Sequence, residues 1–232
     1  MSEKRKGGRP SGGRPLSQRV ASARGRTTSS TRWLQRQLND PYVDGAKREG
    51  WRSRAAFKLI QLDERYRILK RGAHVVDLGA APGGWTQVAV ARAGAGHVVA
   101  VDVSEIEPIE GARILTMDAT TPQALAAIRD ALEDGQADVV LSDMAAAATG
   151  HRQTDHLRIM GLVDDALAVA EQLLRPGGVF VAKVLQGGTE DELLSRIKRR
   201  FDKVGHAKPD ASRKDSREIY LVAQGFRGEL AK

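Results

Sequence analysis

The chain has 232 residues, a length that suits one domain, and its 41% of hydrophobic residues is enough for a substantial core. Charged residues make up 28% and no apolar run reaches the roughly 18 residues of a membrane span, so no membrane association is expected. The lack of cysteine removes disulfides and thiolate metal sites, and the opening "MSEKRKGGRPSGGRP" lacks the apolar core of a secretory leader, so a cytoplasmic location is expected.

Residues 1–30 are Gly, Ser, Arg and Pro with little to bury, and read as a disordered basic arm. A single domain is expected over 31–228, followed by a short tail at 229–232. It begins with a basic helical segment, 31–71. One helix starts near Ser30 or Thr31 and is ended or followed by Pro41. A second lies in "REGWRSRAAFKLIQLDERYRIL", where Ala55, Ala56, Leu59, Ile60, Leu62 and Tyr66 recur at near-helical spacing up to Gly72. Strand and helix then alternate. "AHVVDLG", "HVVAVDV", "ARILTMD", "ADVVLSD" and "VFVAKVL" are apolar strands. Helices are expected in "GWTQVAVARA", at 122–133 behind Thr120 or Thr121, with Pro122 in the first turn, and at 154–174. The helix "EDELLSRIKRRF" follows, then the strands "KVGHAKP" and "REIYLVAQGF". Apolar strands alternating with helices imply a mostly parallel seven-stranded α/β sheet with helices on both faces. The last two strands, joined by a basic loop, suggest an antiparallel hairpin at the sheet edge.

The net charge of +8 is unevenly spread. Residues 1–32 hold nine bases and one acid, residues 33–71 ten and five, residues 196–217 nine and three, but residues 101–140 two and nine. If the two later basic stretches meet in space, they form a positive face suited to a polyanion.

The turn "VVDLGAAPGGW" at 75–85 marks a nucleotide site. The dinucleotide fingerprint Gly-x-Gly-x-x-Gly needs its second glycine for backbone approach to a pyrophosphate. Here Gly79 and Gly83 remain, but Ala81 and Pro82 stand between them. This disfavours a nicotinamide dinucleotide and favours S-adenosylmethionine, which has no pyrophosphate. Asp77, Asp102, Asp118 and Asp143 fall at the ends of four successive strands, where open parallel sheets bind ligands. Asp102 is placed to grip ribose hydroxyls and Asp118 to meet the adenine edge. His151 and His156 flank Asp155, but no third ligand stands at suitable spacing, so no metal is expected, and Asp155 reads as a helix cap.

Four motifs, "SRAAFKL" at 53–59, "VVDLGAAPGGW", "SDMA" at 142–145 and "FVAKVLQG" at 180–187, closed by "SRKDSREIYLVA" at 212–223, resemble the FtsJ/RlmE ribosomal RNA 2′-O-methyltransferases over about residues 33–224. The resemblance implies a Rossmann-like S-adenosylmethionine-dependent methyltransferase fold with an antiparallel last strand. It implies a monomer that methylates a ribose, a uridine of 23S ribosomal RNA in the large subunit. The family's Lys-Asp-Lys-Glu tetrad falls on Lys58, Asp143, Lys183 and Glu218. Its cofactor residues fall on Gly83, Trp85, Asp102, Asp118 and Asp143. One departure lies in "SDMAAAATG", where Ala146 and Ala147 replace the usual Pro and Asn. Another is Ala56, where Trp is common.

A ribose hydroxyl attacking a sulfonium methyl has to lose its proton, so a base is needed. A lysine serves only when neutral; free lysine titrates near ~10.4, and a neighbouring cation lowers that value. Lys183 is expected to be the base, with Lys58, Asp143 and Glu218 orienting it and the hydroxyl. Candidate RNA contacts are Arg32, Arg36, Lys47, Arg48, Arg52, Arg54, Lys198, Arg199, Arg200, Lys208, Arg213 and Lys214. Phosphate contacts of this kind give affinity without base identity, and the 2′-hydroxyl acceptor selects RNA over DNA. The alternatives are the same chemistry on another RNA, such as transfer RNA or an mRNA cap, a non-catalytic RNA-binding protein on the same fold, and an NAD-dependent oxidoreductase.

Overall fold

The computed structural model describes residues 34–35, 38–146, 149–186, 191–213 and 215–228. The basic arm, the tail, Arg32, Arg36, Ala147 and Lys214 lie outside them. The chain divides into two compact units, residues 1–44 and 45–232.

Helix α1 spans Pro41–Glu49. Residues 34–35 and 38 are helical, so a helical stretch precedes Pro41 as expected, and Pro41 itself opens α1. Its missing N–H costs nothing in a first turn, and the Asp40 carboxylate accepts the Tyr42 N–H at 3.0 Å. The second expected helix follows its apolar pattern to within a residue. Helix α2 is Ala56–Tyr66, and the stretch 51–55 before it is not helical. The alternating region follows as β1 (Val75–Leu78), α3 (Gly84–Ala93), β2 (Val98–Asp102), β3 (Ala112–Thr116), α4 (Pro122–Ala131), β4 (Ala137–Ser142), α5 (Arg152–Leu173), β5 (Leu174–Leu185), α6 (Asp191–Arg200), β6 (Phe201–Ala207) and β7 (Glu218–Phe226). Thr121 caps α4 by accepting the Ala124 N–H, with Pro122 in the first turn.

The seven strands form one sheet in the order β3-β2-β1-β4-β5-β7-β6. All pairs are parallel except those of β7, which is antiparallel to both β5 and β6. The last strand thus does not stand at the edge beyond its hairpin partner. It inserts between β5 and β6 and leaves β6 outermost. Burial follows: β7 carries Tyr220, Leu221, Val222 and Ala223 fully buried, whereas β6 is largely polar and exposed in its middle.

Alternate residues of each central strand enter different cores, as the period of two requires. Val76, Leu78, Val140, Phe180 and Ala182 pack with Ile128 of α4, Leu167 and Leu173 of α5 and Ile197 of α6. Val75, Leu141, Val181, Tyr220 and Val222 pack with Leu59 and Leu62 of α2 and Trp85 and Val88 of α3. Both faces are covered, which explains the nearly unbroken apolar runs. Truncating Leu167, which is fully buried in the first of these cores, to alanine is expected to cost about 2–5 kcal/mol in urea unfolding.

Candidate active site

The site lies at the carboxyl ends of the central strands, where two neighbouring features meet. One is a cavity of about 480 Å³ lined by Gly79, Ala81, Asp102, Ser104, Met117, Asp118, Asp143, Met144 and Leu162, among others. The other is a buried set of polar side chains around Tyr220.

The cavity takes its shape from the turn after β1. Gly79 has φ +72°, and a methyl group there would come within 2.9 Å of the Met144 backbone. Only glycine lets β1 turn beneath the loop after β4. Asp102 closes the same turn: its carboxylate accepts the Ala81 N–H at 2.9 Å and the Ser104 N–H at 2.8 Å. Asp118 accepts the Thr120 N–H at 3.0 Å and the Thr120 hydroxyl at 2.8 Å. Those bonds hold its carboxyl below the ordinary range. A carboxylate has about four acceptor sites, so both retain capacity for a ligand's hydroxyl or amino groups.

Three carboxylates, those of Asp102, Asp118 and Asp143, line the cavity with no lysine or arginine among its lining residues. Such a lining suits a cationic nucleoside and repels a pyrophosphate. Beneath it, Asp77 is fully buried. Its Oδ2 accepts the Thr86 hydroxyl at 2.6 Å, while its Oδ1 has no partner. Burial pushes its pKa up from 3.8 to about 7, against the Thr86 bond and with the help of Asp143 and Asp102. Ser53 Oγ is likewise buried without a partner, close against Gly84. The carboxylates that line the cavity and the glycine turn that shapes it fit a cationic nucleoside cofactor.

The four residues of the tetrad converge, joined by one that the sequence reading did not single out. Lys183 Nζ donates to Asp143 O at 2.7 Å and pairs with Asp143 Oδ1 at 2.9 Å. The Tyr220 hydroxyl donates to the same Oδ1 at 2.7 Å and accepts from Lys58 Nζ at 3.1 Å. Lys58 Nζ also pairs with Glu218 Oε2 at 3.3 Å. The order is Lys183, Asp143, Tyr220, Lys58, Glu218. Tyr220 faces Lys183 across the β5–β7 ladder. Burial, and next the Asp143 charge, raise its pKa well above 10, so it stays a neutral donor. The available signal was its spacing: it stands two residues beyond Glu218, hence on the same face of a strand.

Not all the proposed cofactor residues line the cavity. Gly79, Asp102, Asp118 and Asp143 do, and Asp77, Gly83 and Trp85 do not. Trp85 is buried in the second core, donates its ring N–H to Ala55 O at 2.8 Å and lies 5.4 Å from the Tyr220 ring. It supports the site from behind. Asp155 accepts the Thr149 N–H at 2.7 Å and its hydroxyl at 2.6 Å, tying the loop before α5. Among the described residues no group of acids and histidines could hold a metal.

The two basic stretches do meet. Arg54 Nη2 donates to Ala211 O, and Ala211 N donates to Gln61 Oε1 at 2.8 Å. Among the basic residues named, Lys47, Arg48, Lys198, Arg199 and Lys208 are exposed. Arg52 and Arg200 are engaged internally: Arg52 binds three backbone carbonyls, and Arg200 pairs with Glu171 at 3.2 Å. A separate cleft of about 430 Å³ beside Lys70, Asp138 and Arg175 opens at the opposite ends of the strands, away from the site.

A parallel sheet of this order with an inserted antiparallel last strand, and an acidic cavity at its carboxyl ends, define a Rossmann-like α/β methyltransferase fold. The model of the FtsJ-like methyltransferases matches residues 51–226, and the chain belongs to that family. It is 61% identical over 221 residues to the ribosomal RNA large subunit methyltransferase E of Xanthobacter autotrophicus, covering 94% of this chain and 87% of that protein. The protein of the same name from Rhodospirillum rubrum is 58% identical over 228 residues, 96% of this chain and 86% of that protein. Among solved structures, a ribosomal RNA methyltransferase of Plasmodium falciparum superposes with a TM-score of 0.69 at 29% identity, covering 77% of this chain and all of that one.

Replacing Tyr220 with Phe removes a hydroxyl that bridges Asp143 and Lys58. We expect a loss of about 1–3 kcal/mol in urea unfolding and a fall in turnover, with cofactor affinity nearly unchanged in calorimetry. Asp77 supplies a pH test. Its folded pKa of about 7 lies above the ordinary 3.8, so the folded state binds more protons between those values and stability falls as pH rises through that window. Asp77→Asn is expected to flatten this decline, measured as the urea midpoint at pH 5 and pH 8.

Proposed function

We propose that the chain transfers a methyl group to a ribose 2′-hydroxyl of large-subunit ribosomal RNA, a uridine of 23S RNA, with S-adenosylmethionine as donor and Lys183 as base. The single observation that carries this reading is the connected set Lys183–Asp143–Tyr220–Lys58–Glu218 beside an acidic cavity. The names of the relatives from Xanthobacter autotrophicus and Rhodospirillum rubrum support the choice of acceptor.

When bound, S-adenosylmethionine supplies an electrophilic methyl group on a positively charged sulfur. Asp102 and Asp118 would hold its nucleoside, and Asp143 would lie toward its charge. Asp143 belongs to the cavity and also binds Lys183, so one carboxylate ties the donor side to the acceptor side. Lys183 Nζ meets Asp143 twice, which leaves one of its three hydrogen-bonding positions for the acceptor hydroxyl. With the amine neutral, that position is a lone pair able to take the hydroxyl proton as the oxygen attacks. Lys58, held by Tyr220 and Glu218, stands by to orient the hydroxyl without itself taking the proton. A sheet and a packed helix carry these groups, and such rigid placement favours in-line transfer.

The exposed bases at 47–48, 198–199 and 208 would meet phosphates and set affinity. Binding to RNA should therefore weaken steeply between 50 and 200 mM salt; a flat titration would remove the phosphate-contact role. Lys183→Ala is expected to abolish tritiated methyl transfer to large subunits from a strain lacking this protein, while calorimetric affinity for S-adenosylmethionine persists. Mass-spectrometric mapping of the methyl group placed by the unaltered protein identifies the nucleotide. A methyl group on a base, or full turnover by Lys183→Ala, would overturn the reading.

A further inference from the structure

We propose that Arg52 is a positioning residue that locks the turn after β1 and the loop after β2 to the segment carrying Lys58, so that the donor and acceptor halves of the site are set together. The inference rests on the function proposed above for its meaning in catalysis, but not for its geometry.

Arg52 lies in the non-helical stretch between α1 and α2. Its Nη1 donates to Pro82 O at 3.2 Å and Glu107 O at 2.7 Å, and its Nη2 donates to Pro108 O at 2.7 Å. Pro82 belongs to the glycine turn whose neighbours Gly79 and Ala81 line the cavity. Glu107 and Pro108 belong to the loop that follows β2 and Asp102. One guanidinium thus holds three carbonyls from two loops that frame the cofactor cavity.

The same stretch is stitched to α3 on its other side. The Arg52 N–H donates to Gln87 Oε1 at 2.8 Å, and Gln87 Nε2 donates to Gly50 O at 3.2 Å. The fit leaves no slack. A Cβ on Gly83 would come within 2.6 Å of Ile109 and 3.2 Å of Arg52 Nη1, and one on Gly84 within 2.4 Å of Ser53 Oγ. Lys58 follows in the first turn of α2, and its Nζ is held by Tyr220 and Glu218. A displacement of the glycine turn is therefore passed to the start of α2 rather than absorbed between them.

The chemistry requires arginine. A planar fork presents donors in several fixed directions, and its bonds to carbonyls are charge-assisted. A lysine ammonium offers its three donors from one atom and cannot span the same acceptors. A residue that only braced loops would affect stability and nothing else. A residue that couples two half-sites makes ligand binding at one felt at the other.

The test is hydrogen exchange of the full-length protein and of Arg52→Lys, each with and without saturating S-adenosylhomocysteine. In the unaltered protein the ligand should slow exchange both in residues 79–87 and in residues 52–60. In Arg52→Lys it should slow exchange only in the first. Gln87→Ala, which removes two bonds of the same seam, is expected to give an intermediate result and serves if Arg52→Lys does not fold. The kinetic companion is single-turnover methylation of large subunits at saturating S-adenosylmethionine, where we expect a loss of at least about tenfold from a misplaced Lys58. Retained protection of residues 52–60 in the variants, or a lowered melting temperature with an unchanged single-turnover rate, would overturn the coupling. If the unaltered protein fails to methylate large subunits, the acceptor assignment fails. The exchange result still decides the role of Arg52.

Discussion

The antiparallel pairing of β5 with β7 sets Lys183 directly opposite Tyr220, and the rest of the site follows from that register. β7 has to run against its neighbours and between them for this to happen. Its direction brings Glu218 level with Leu185 at the ligand end of the sheet, and its buried position places the Tyr220 hydroxyl between a carboxylate from the end of β4 and an ammonium from α2. Two amines and two acids gathered where Lys183 and Lys58 are almost entirely out of water are tolerable only because each meets a partner. Tyr220 is the group that makes one network of two ion pairs. A one-residue slip in the β5–β7 register would turn Glu218 and Tyr220 to the other face, among the apolar residues packed on α6.

The site separates charge by sign. The cavity beside the strand ends is lined by carboxylates and holds no base, while the stretches that meet at Arg54 and Ala211 are rich in lysine and arginine. Potentials of opposite sign would draw a small cation to the one and a polyanion to the other. Asp143 lines the cavity and also pairs with Lys183.

Much of this was legible in the residues. The alternation of apolar runs with helical patterns predicted seven strands and helices on both faces, and the carboxylates at successive strand ends marked the ligand side. The missing middle glycine argued against a dinucleotide, in agreement with a cavity that has no cationic group to receive a pyrophosphate. Less was legible where long-range contacts decide. Pro41 follows one helical stretch, as read, and also opens α1, because its missing N–H fits either side of a helix boundary. Trp85 packs against Tyr220 in the second core, a contact that no local pattern shows. Arg52 looked like any other base in a positive stretch, because the carbonyls that bind it lie about 30 and 55 residues away.

What the sequence determined by itself was therefore local and periodic: which segments are strands or helices, where glycine alone allows the turn at Gly79, and which carboxylates stand at the strand ends. What only the tertiary structure decided was placement between segments: that β7 enters the sheet rather than flanking it, that Tyr220 joins the two lysines, and that Arg52 binds the carbonyls of two loops. The physical reason is that period and propensity act over a few neighbouring residues, whereas strand order and buried hydrogen bonds depend on which distant surfaces come together to exclude water.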